Sequence, residues 1–251
     1  METVYGINPV RVLLSRDHSP LKKIIIARGR GGAAVLAIIE AAGRKNIPLE
    51  WQERRYLDKL TGGTDHQGVV AVRGPFMYAG FDDVLKNRNP GLSCDLVVIL
   101  DSVVDPHNLG SIIRTSHCLG ANGIILPMDR AAMVTPAVIK VSAGSAVQLP
   151  VARVTNLART IDELKERGFW IFGADTSGGG DLRGQNFRLS TALVLGGEAR
   201  GMRQLVRKKC DFLVTIPMAG DFDSFNVAVA AGIIQYEILL QRIAQKDDKE
   251  M

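Results

Sequence analysis

The feature that most constrains this chain is a recurring pattern in its second half. Short, continuous apolar runs alternate there with segments of helical composition. The runs are Leu96 to Leu100, Gly123 to Leu126, Trp170 to Ala174, Ala192 to Leu195 and Phe212 to Ile216. The first, Leu96 to Leu100, is continuously apolar and suits a strand buried on both faces, as in a parallel sheet covered by helices. The intervening segments Asn108 to Leu119 and Leu157 to Arg167, and the closing segment Asn226 to Ile243, read as helices. Such βα alternation predicts an α/β fold with a mostly parallel sheet. Ligands of these sheets bind at the loops beyond the carboxyl ends of the strands, which is where chemistry is to be sought.

The first part is a smaller α/β module. Val10 to Leu14 and Ala33 to Ala42 read as helices, and Ile24 to Ile26, Leu49 to Gln52 and Gly68 to Val72 as strands. A Gly- and Pro-punctuated segment with one short helix, Phe81 to Lys86, separates it from the rest. The expected division is residues 1–75, a linker at 76–94 and a second domain at 95–251. Charge follows it. Residues 1–75 hold 12 Lys and Arg against 7 Asp and Glu, which accounts for the whole net charge of +5. A basic module beside a neutral one fits a polyanion docking on the first part.

Other classes are disfavoured. No apolar run approaches the ~20 residues of a membrane span, and the N-terminus shows no basic-then-apolar leader, so a cytoplasmic location is expected. Cys94, Cys118 and Cys210 form no CxxC pair and the four histidines no HExxH, so neither a metal site nor a disulfide framework is expected. One segment imitates a dinucleotide fingerprint. Ile24 to Ile26 leads into Gly29-Arg30-Gly31-Gly32-Ala33-Ala34, with Glu50 about 20 residues on, where a ribose-binding acid would lie. An NAD-dependent oxidoreductase therefore stays open. The preferred reading is a Gly-rich, Arg-bearing loop of a small domain, whose Arg28 and Arg30 suit the phosphate of a nucleic acid as well as that of a cofactor.

Three strand-following loops carry the polar residues. The first is Asp101-Ser102-Val103-Val104-Asp105-Pro106-His107-Asn108-Leu109-Gly110, running on to Arg114. On chemistry alone Asn108 is either a helix cap or a site residue, and Arg114 either pairs with Asp101 or Asp105 or acts on a ligand. The second is Gly196-Gly197-Glu198-Ala199-Arg200-Gly201, where glycines let main-chain groups approach a ligand. The third is Ile216-Pro217-Met218-Ala219-Gly220-Asp221-Phe222-Asp223-Ser224-Phe225-Asn226, with Ser224 or Asn226 placed to cap the last helix.

In this order and at these spacings the three loops resemble the motifs of the SpoU/TrmH family of RNA 2′-O-methyltransferases, in the SPOUT superfamily. The likeness is strongest to members that methylate a guanosine in the P-loop of 23S rRNA. Val4-Tyr5-Gly6 and His66-Gln67-Gly68-Val69-Val70-Ala71 are similar to the ends of the family's L30-like substrate-binding domain. The resemblance implies a parallel-sheet catalytic domain with a C-terminal trefoil knot, a homodimer with active sites near its interface, and S-adenosylmethionine as cofactor. By the same resemblance Gly196, Gly201, Ile216, Met218 and Phe225 line the cofactor pocket, and Asn108, Arg114, Glu198, Ser224 and Asn226 face the ribose and its phosphate. Phe225 stands where the family usually carries Leu, and Ala228 where it carries a second Ser. A tRNA ribose as substrate, or a non-catalytic RNA-binding protein, are the other readings.

Overall fold

The computed structural model describes residues 2–15, 21–63, 65–176 and 178–250, the side chains of 245–250 excepted. Contacts divide the chain into two compact units, Met1–Met77 with Val134–Gln148, and Tyr78–Met133 with Leu149–Met251. The contiguous limits expected from the sequence differ from this in two ways. The segment 78–94 packs within the second unit, and a stretch from the middle of the chain packs within the first.

In the first unit, β1 (Glu2–Tyr5), β2 (Leu21–Ala27), β3 (Leu49–Gln52) and β4 (Val69–Arg73) form a sheet in the order β1-β4-β2-β3. The helices are α1 (Ile7–Ser15), α2 (Ala33–Arg44) and α3 (Arg54–Thr61). The sequence reading missed β1 and α3. Both are short, and α3 buries only Leu57. The helix Pro136–Val141 (α6 in chain order) and the 3-10 turn Ser145–Val147 join this unit, burying Val138, Ile139 and Ala146. The His66-Gln67-Gly68 motif is a structural joint. Gly68 N donates to His66 Nδ1 at 3.0 Å, and Gln67 Oε1 accepts from Ile7 N at 3.0 Å.

This sheet explains why the Gly29–Ala34 imitation is not a dinucleotide site. β2 lies between antiparallel β4 and parallel β3, so no crevice opens between diverging parallel strands. Glu50 is engaged by Lys23 Nζ at 2.8 and 3.0 Å, and Arg30 Nε donates to Gln67 O at 3.0 Å.

The second unit contains α4 (Phe81–Lys86), β5 (Leu96–Asp101), α5 (Pro106–Cys118), β6 (Gly123–Pro127), β7 (Val151–Val154), α7 (Leu157–Glu166), β8 (Trp170–Ala174), β9 (Gly180–Asp181), β10 (Thr191–Gly196), α8 (Gln204–Lys209), β11 (Phe212–Thr215) and α9 (Val227–Glu250). Seven strands pair in the order β7-β6-β5-β10-β8-β11-β9, and every pairing is parallel. All six residues of β5 are buried, as the continuous apolar run requires. Val97, Ile99, Ile125, Ile171 and Val194 share a core with Leu157, Ile161 and Leu164 of α7 and Val206 of α8. The chain proceeds from β5 outward to β6 and β7, then crosses to β8 and β9 on the other side, and β10 enters between β5 and β8. That reversal is a topological switch point, and the first two motif loops leave adjacent strands there, with Gly196 paired to Asp101.

The window Val227–Ala244 of α9 has a mean hydropathy of 1.4 and by length and composition could cross a membrane. Here the helix lies against α5 and β10 and buries Ala231, Ile234, Ile238 and Arg242. The Arg242 guanidinium donates to the carbonyls of Phe187, Cys94, Asp95 and Leu189 at 2.9–3.1 Å. Burial pulls its pKa below the usual value. Four carbonyl dipoles compensate the buried charge and fix the last helix to the start of β5.

Candidate active site

The site begins with one buried carboxylate. Asp101 ends the otherwise apolar β5 and is completely buried. Its oxygens accept from Arg203 N and Arg203 Nε, both at 2.7 Å, and from Ser102 Oγ at 3.2 Å. Its main-chain oxygen accepts from Gly197 N at 2.8 Å. A buried charge demands such partners, and here they tie the second loop to the first. The partner of Asp101 is thus Arg203 rather than Arg114, and Arg203 lies outside the three loops that the sequence singles out. An acid closing a buried strand was the available signal, because it must find a cation somewhere.

The two loops meet closely. A Cβ on Gly197 would lie 2.1 Å from Ser102 O, and one on Gly196 would lie 2.3 Å from Gly201 C and Met202 N. Gly201 has φ 62° and donates from its N to Gly197 O at 2.8 Å. The glycine spacing is therefore a steric condition of the turn.

Asn108 is not a helix cap. Asp105 caps α5, accepting from His107 N at 2.9 Å, with Pro106 preformed for the first turn. Asn108 falls one turn in, nearly buried, and donates through Nδ2 to Glu198 Oε1 at 2.7 Å. Asn226 is both a helix cap and a link between the loops. Its Oδ1 accepts from Ala228 N and Val229 N at 2.9 and 3.3 Å, capping α9. Its Nδ2 donates to Glu198 Oε1 at 2.8 Å and to Asn108 Oδ1 at 3.0 Å. Glu198 is thereby held at the first turns of two helices, a place that favours negative charge. One residue from each of the three loops meets in this triangle.

A cavity of about 430 Å³ opens beside it. Gly196, Gly201, Ile216, Met218 and Phe225 all line it, together with Glu198 and Ser224. The loop after β8, which the sequence reading passed over, adds Ala174, Asp175 and Thr176. Asp175 accepts from Arg207 Nε at 2.5 Å. Thr215, also on the wall, carries a buried hydroxyl with no partner among the described residues.

Arg114 is not brought to this cluster within the chain. It lies outside the cavity, exposed on α5, with no ion pair or hydrogen bond among the described residues. The buried stripe of α5 runs through Asn108, Ile112, Ile113 and Ser116, and Arg114 points away from it.

An all-parallel sheet with glycine-walled loops at its switch point, and a cavity lined by the second and third of them beside the carboxylate that binds the first, defines a cofactor-binding α/β enzyme. The chain belongs to the SpoU rRNA methylase family, whose model matches residues 95–236; a second model, RNA 2′-O ribose methyltransferase substrate binding, matches residues 3–79. It is 43% identical over 95% of both chains to a putative TrmH family tRNA/rRNA methyltransferase, YacO, of Bacillus subtilis. It is 40% identical over 98% of both chains to the 23S rRNA (guanosine-2′-O-)-methyltransferase RlmB of Pseudomonas syringae. Among solved structures it is similar to the SpoU methyltransferase AviRb of Streptomyces viridochromogenes in complex with AdoMet. That likeness has a TM-score of 0.80 and 27% identity, covering 96% of this chain and 90% of the other.

Proposed function

We propose that this protein methylates the 2′-oxygen of a guanosine ribose in 23S rRNA, using S-adenosylmethionine, as a cytoplasmic homodimer. The observation that carries the reading is the Asn108–Glu198–Asn226 triangle at the edge of the 430 Å³ cavity. The cavity suits the cofactor. Leu195, Ile216, Val227 and Ile234 offer an apolar bed for a base, Gly196 and Gly201 expose main chain, and the unpartnered Thr215 hydroxyl offers a polar contact. S-adenosylmethionine, when bound, supplies a methyl group already activated by a sulfonium.

The protein's task is then to place and deprotonate a weakly acidic hydroxyl. Asn108, Glu198 and Asn226 orient the ribose, and Ser224 on the same cavity wall offers a further hydroxyl to it. Arg114 supplies positive charge to the developing alkoxide or the adjoining phosphate. Its free guanidinium on α5, outside the cavity of its own chain, fits service to the site of a second subunit. Val229, Tyr236, Leu240 and Ile243 leave an exposed apolar stripe on α9, the helix packed against α5, and this fits a dimer interface. The backbone contacts at Gly196 and Gly197 fit the tight passage of chain that a trefoil knot demands.

Incubation with labelled S-adenosylmethionine and either 23S rRNA or tRNA from cells lacking the modification, followed by mapping of the labelled ribose, tests the proposal. Label in tRNA alone would move the substrate within the family. RNA retention without transfer would leave only a binding protein.

A further inference from the structure

A second cavity, of about 490 Å³, lies on the other side of the Glu198 loop. The residues after β5, from Ser102 to Asp105, form one wall, the second motif loop another, and Arg130 a third. It shares Asn108 and Glu198 with the triangle but none of the third loop, Ile216 to Asn226.

Its charges are unevenly committed. Asp105 is occupied in capping α5, Glu198 in accepting from two asparagines, and Arg203 in pairing with Asp101. Arg130 and Arg200 have no ion-pair or hydrogen-bond partner among the described residues. The cavity therefore offers two uncommitted guanidiniums and no uncommitted acid.

The backbone around Arg130 is built to hold it there. Arg130 has φ 59°, a left-handed conformation that a side-chain-bearing residue rarely adopts. The turn is pinned on both sides, by Met128 N to Val154 O and by Ala132 N to Val103 O, each at 2.9 Å. The second bond ties Arg130's loop to the first motif loop itself. A strained, anchored arginine on the wall of a cavity fits a ligand contact, since a turn of purely structural use would favour glycine or asparagine.

We propose that this second cavity receives the nucleotide being methylated, with Arg130 gripping its phosphodiester and Arg200 assisting. The inference rests on the methyl-transfer reading above. The guanidinium fork matches a phosphate's oxygens, and the shared Asn108 and Glu198 then stand where the ribose must pass from one cavity to the other. Arg130 is in this account a positioning residue for the RNA and does not contact the cofactor.

The test is Arg130→Gly alongside Arg130→Lys in the full-length protein. Glycine adopts the left-handed turn without strain, so the thermal midpoint of Arg130→Gly is expected at or above wild type, which removes unfolding as an explanation. Saturated with S-adenosylmethionine, Arg130→Gly should raise KM for unmodified 23S rRNA about 10- to 100-fold, as for loss of one charge-assisted contact, with kcat little changed. S-adenosylmethionine affinity should be unchanged. The slope of log RNA affinity against log salt should flatten by about 0.7 to 0.9. Lysine should restore the slope and part of the KM. Unchanged KM and slope in an enzyme that transfers methyl would overturn the proposal and leave the function standing. Failure of the wild type to transfer methyl would instead sink the function, and the salt slopes of bound RNA would still decide the phosphate contact.

Discussion

Alanine substitutions along the second motif loop should separate steric from conformational need. Real Cβ atoms essentially never approach other heavy atoms within 3.0 Å, yet a Cβ on Gly196 meets Gly201 C and Met202 N at 2.3 Å. Both neighbours are backbone, and the turn is closed by Gly201 N to Gly197 O, so no side chain can swing aside. Overpacking of this kind costs about 1–3 kcal/mol where side chains yield, and ~3 kcal/mol or more is expected here. At about 2–4 °C per kcal/mol for a unit of this size, the thermal midpoint should fall by 6–12 °C or more. Gly197→Ala, with Ser102 O at 2.1 Å, should behave alike. Gly201→Ala has open space around it but φ 62°, so it should cost only about 1–2 kcal/mol. Gly220→Ala has neither problem and should stay within about 1 kcal/mol of wild type. Calorimetric unfolding of the four variants, with S-adenosylmethionine titrations, reads both effects. A Gly196→Ala protein that melts with wild type and binds cofactor equally well would refute the argument from close approach.

Three further outcomes are expected. Arg114→Ala should lose about 100- to 10,000-fold in turnover with cofactor affinity and midpoint retained; mixing it one to one with Glu198→Ala subunits should restore activity at about a quarter of the sites if Arg114 serves the partner, and none if it serves its own chain. Burial pushes the Cys210 thiol up to about 12, so it should resist alkylation at pH 8 while the exposed Cys118 reacts. The unfolded chain releases the Cys210 proton near pH 9 and the native one only near 12, so stability should decline across that window, and Cys210→Ser should lessen the slope in urea melts. A chain beginning at Tyr78 lacks the partners of Val138, Ile139 and Ala146; limited proteolysis should cut it within 134–148, and a truncated chain as resistant as the full one would show that this segment stands alone.

Much of the fold was written in local sequence. The apolar runs at Leu96, Gly123, Trp170, Ala192 and Phe212 all became strands, most fully buried at Leu96, where six residues in a row are enclosed, and least at Phe212, where only Val214 is. The order of three loops carried the family. Pairing partners were not legible. Asp101 required a cation, but nothing local distinguishes Arg114, 13 residues on, from Arg203, 102 residues on; chain reversal at β10 makes the distant one adjacent. Asn108 looked like a cap because caps are judged from neighbouring residues, whereas Asp105 and Pro106 had already filled that role. The segment 134–148 shows the same limit at larger scale, since only packing assigns it to the first unit. Asn108, Glu198 and Asn226 lie far apart along the chain and meet at one carboxylate oxygen. The sequence by itself determined the long apolar strands, the longer helices and the chemical groups at the loop ends, all properties of short windows. Which groups share a hydrogen bond, and which arginine stays free, was decided by the order of strands across the sheet, because contact there depends on crossover and not on distance along the chain.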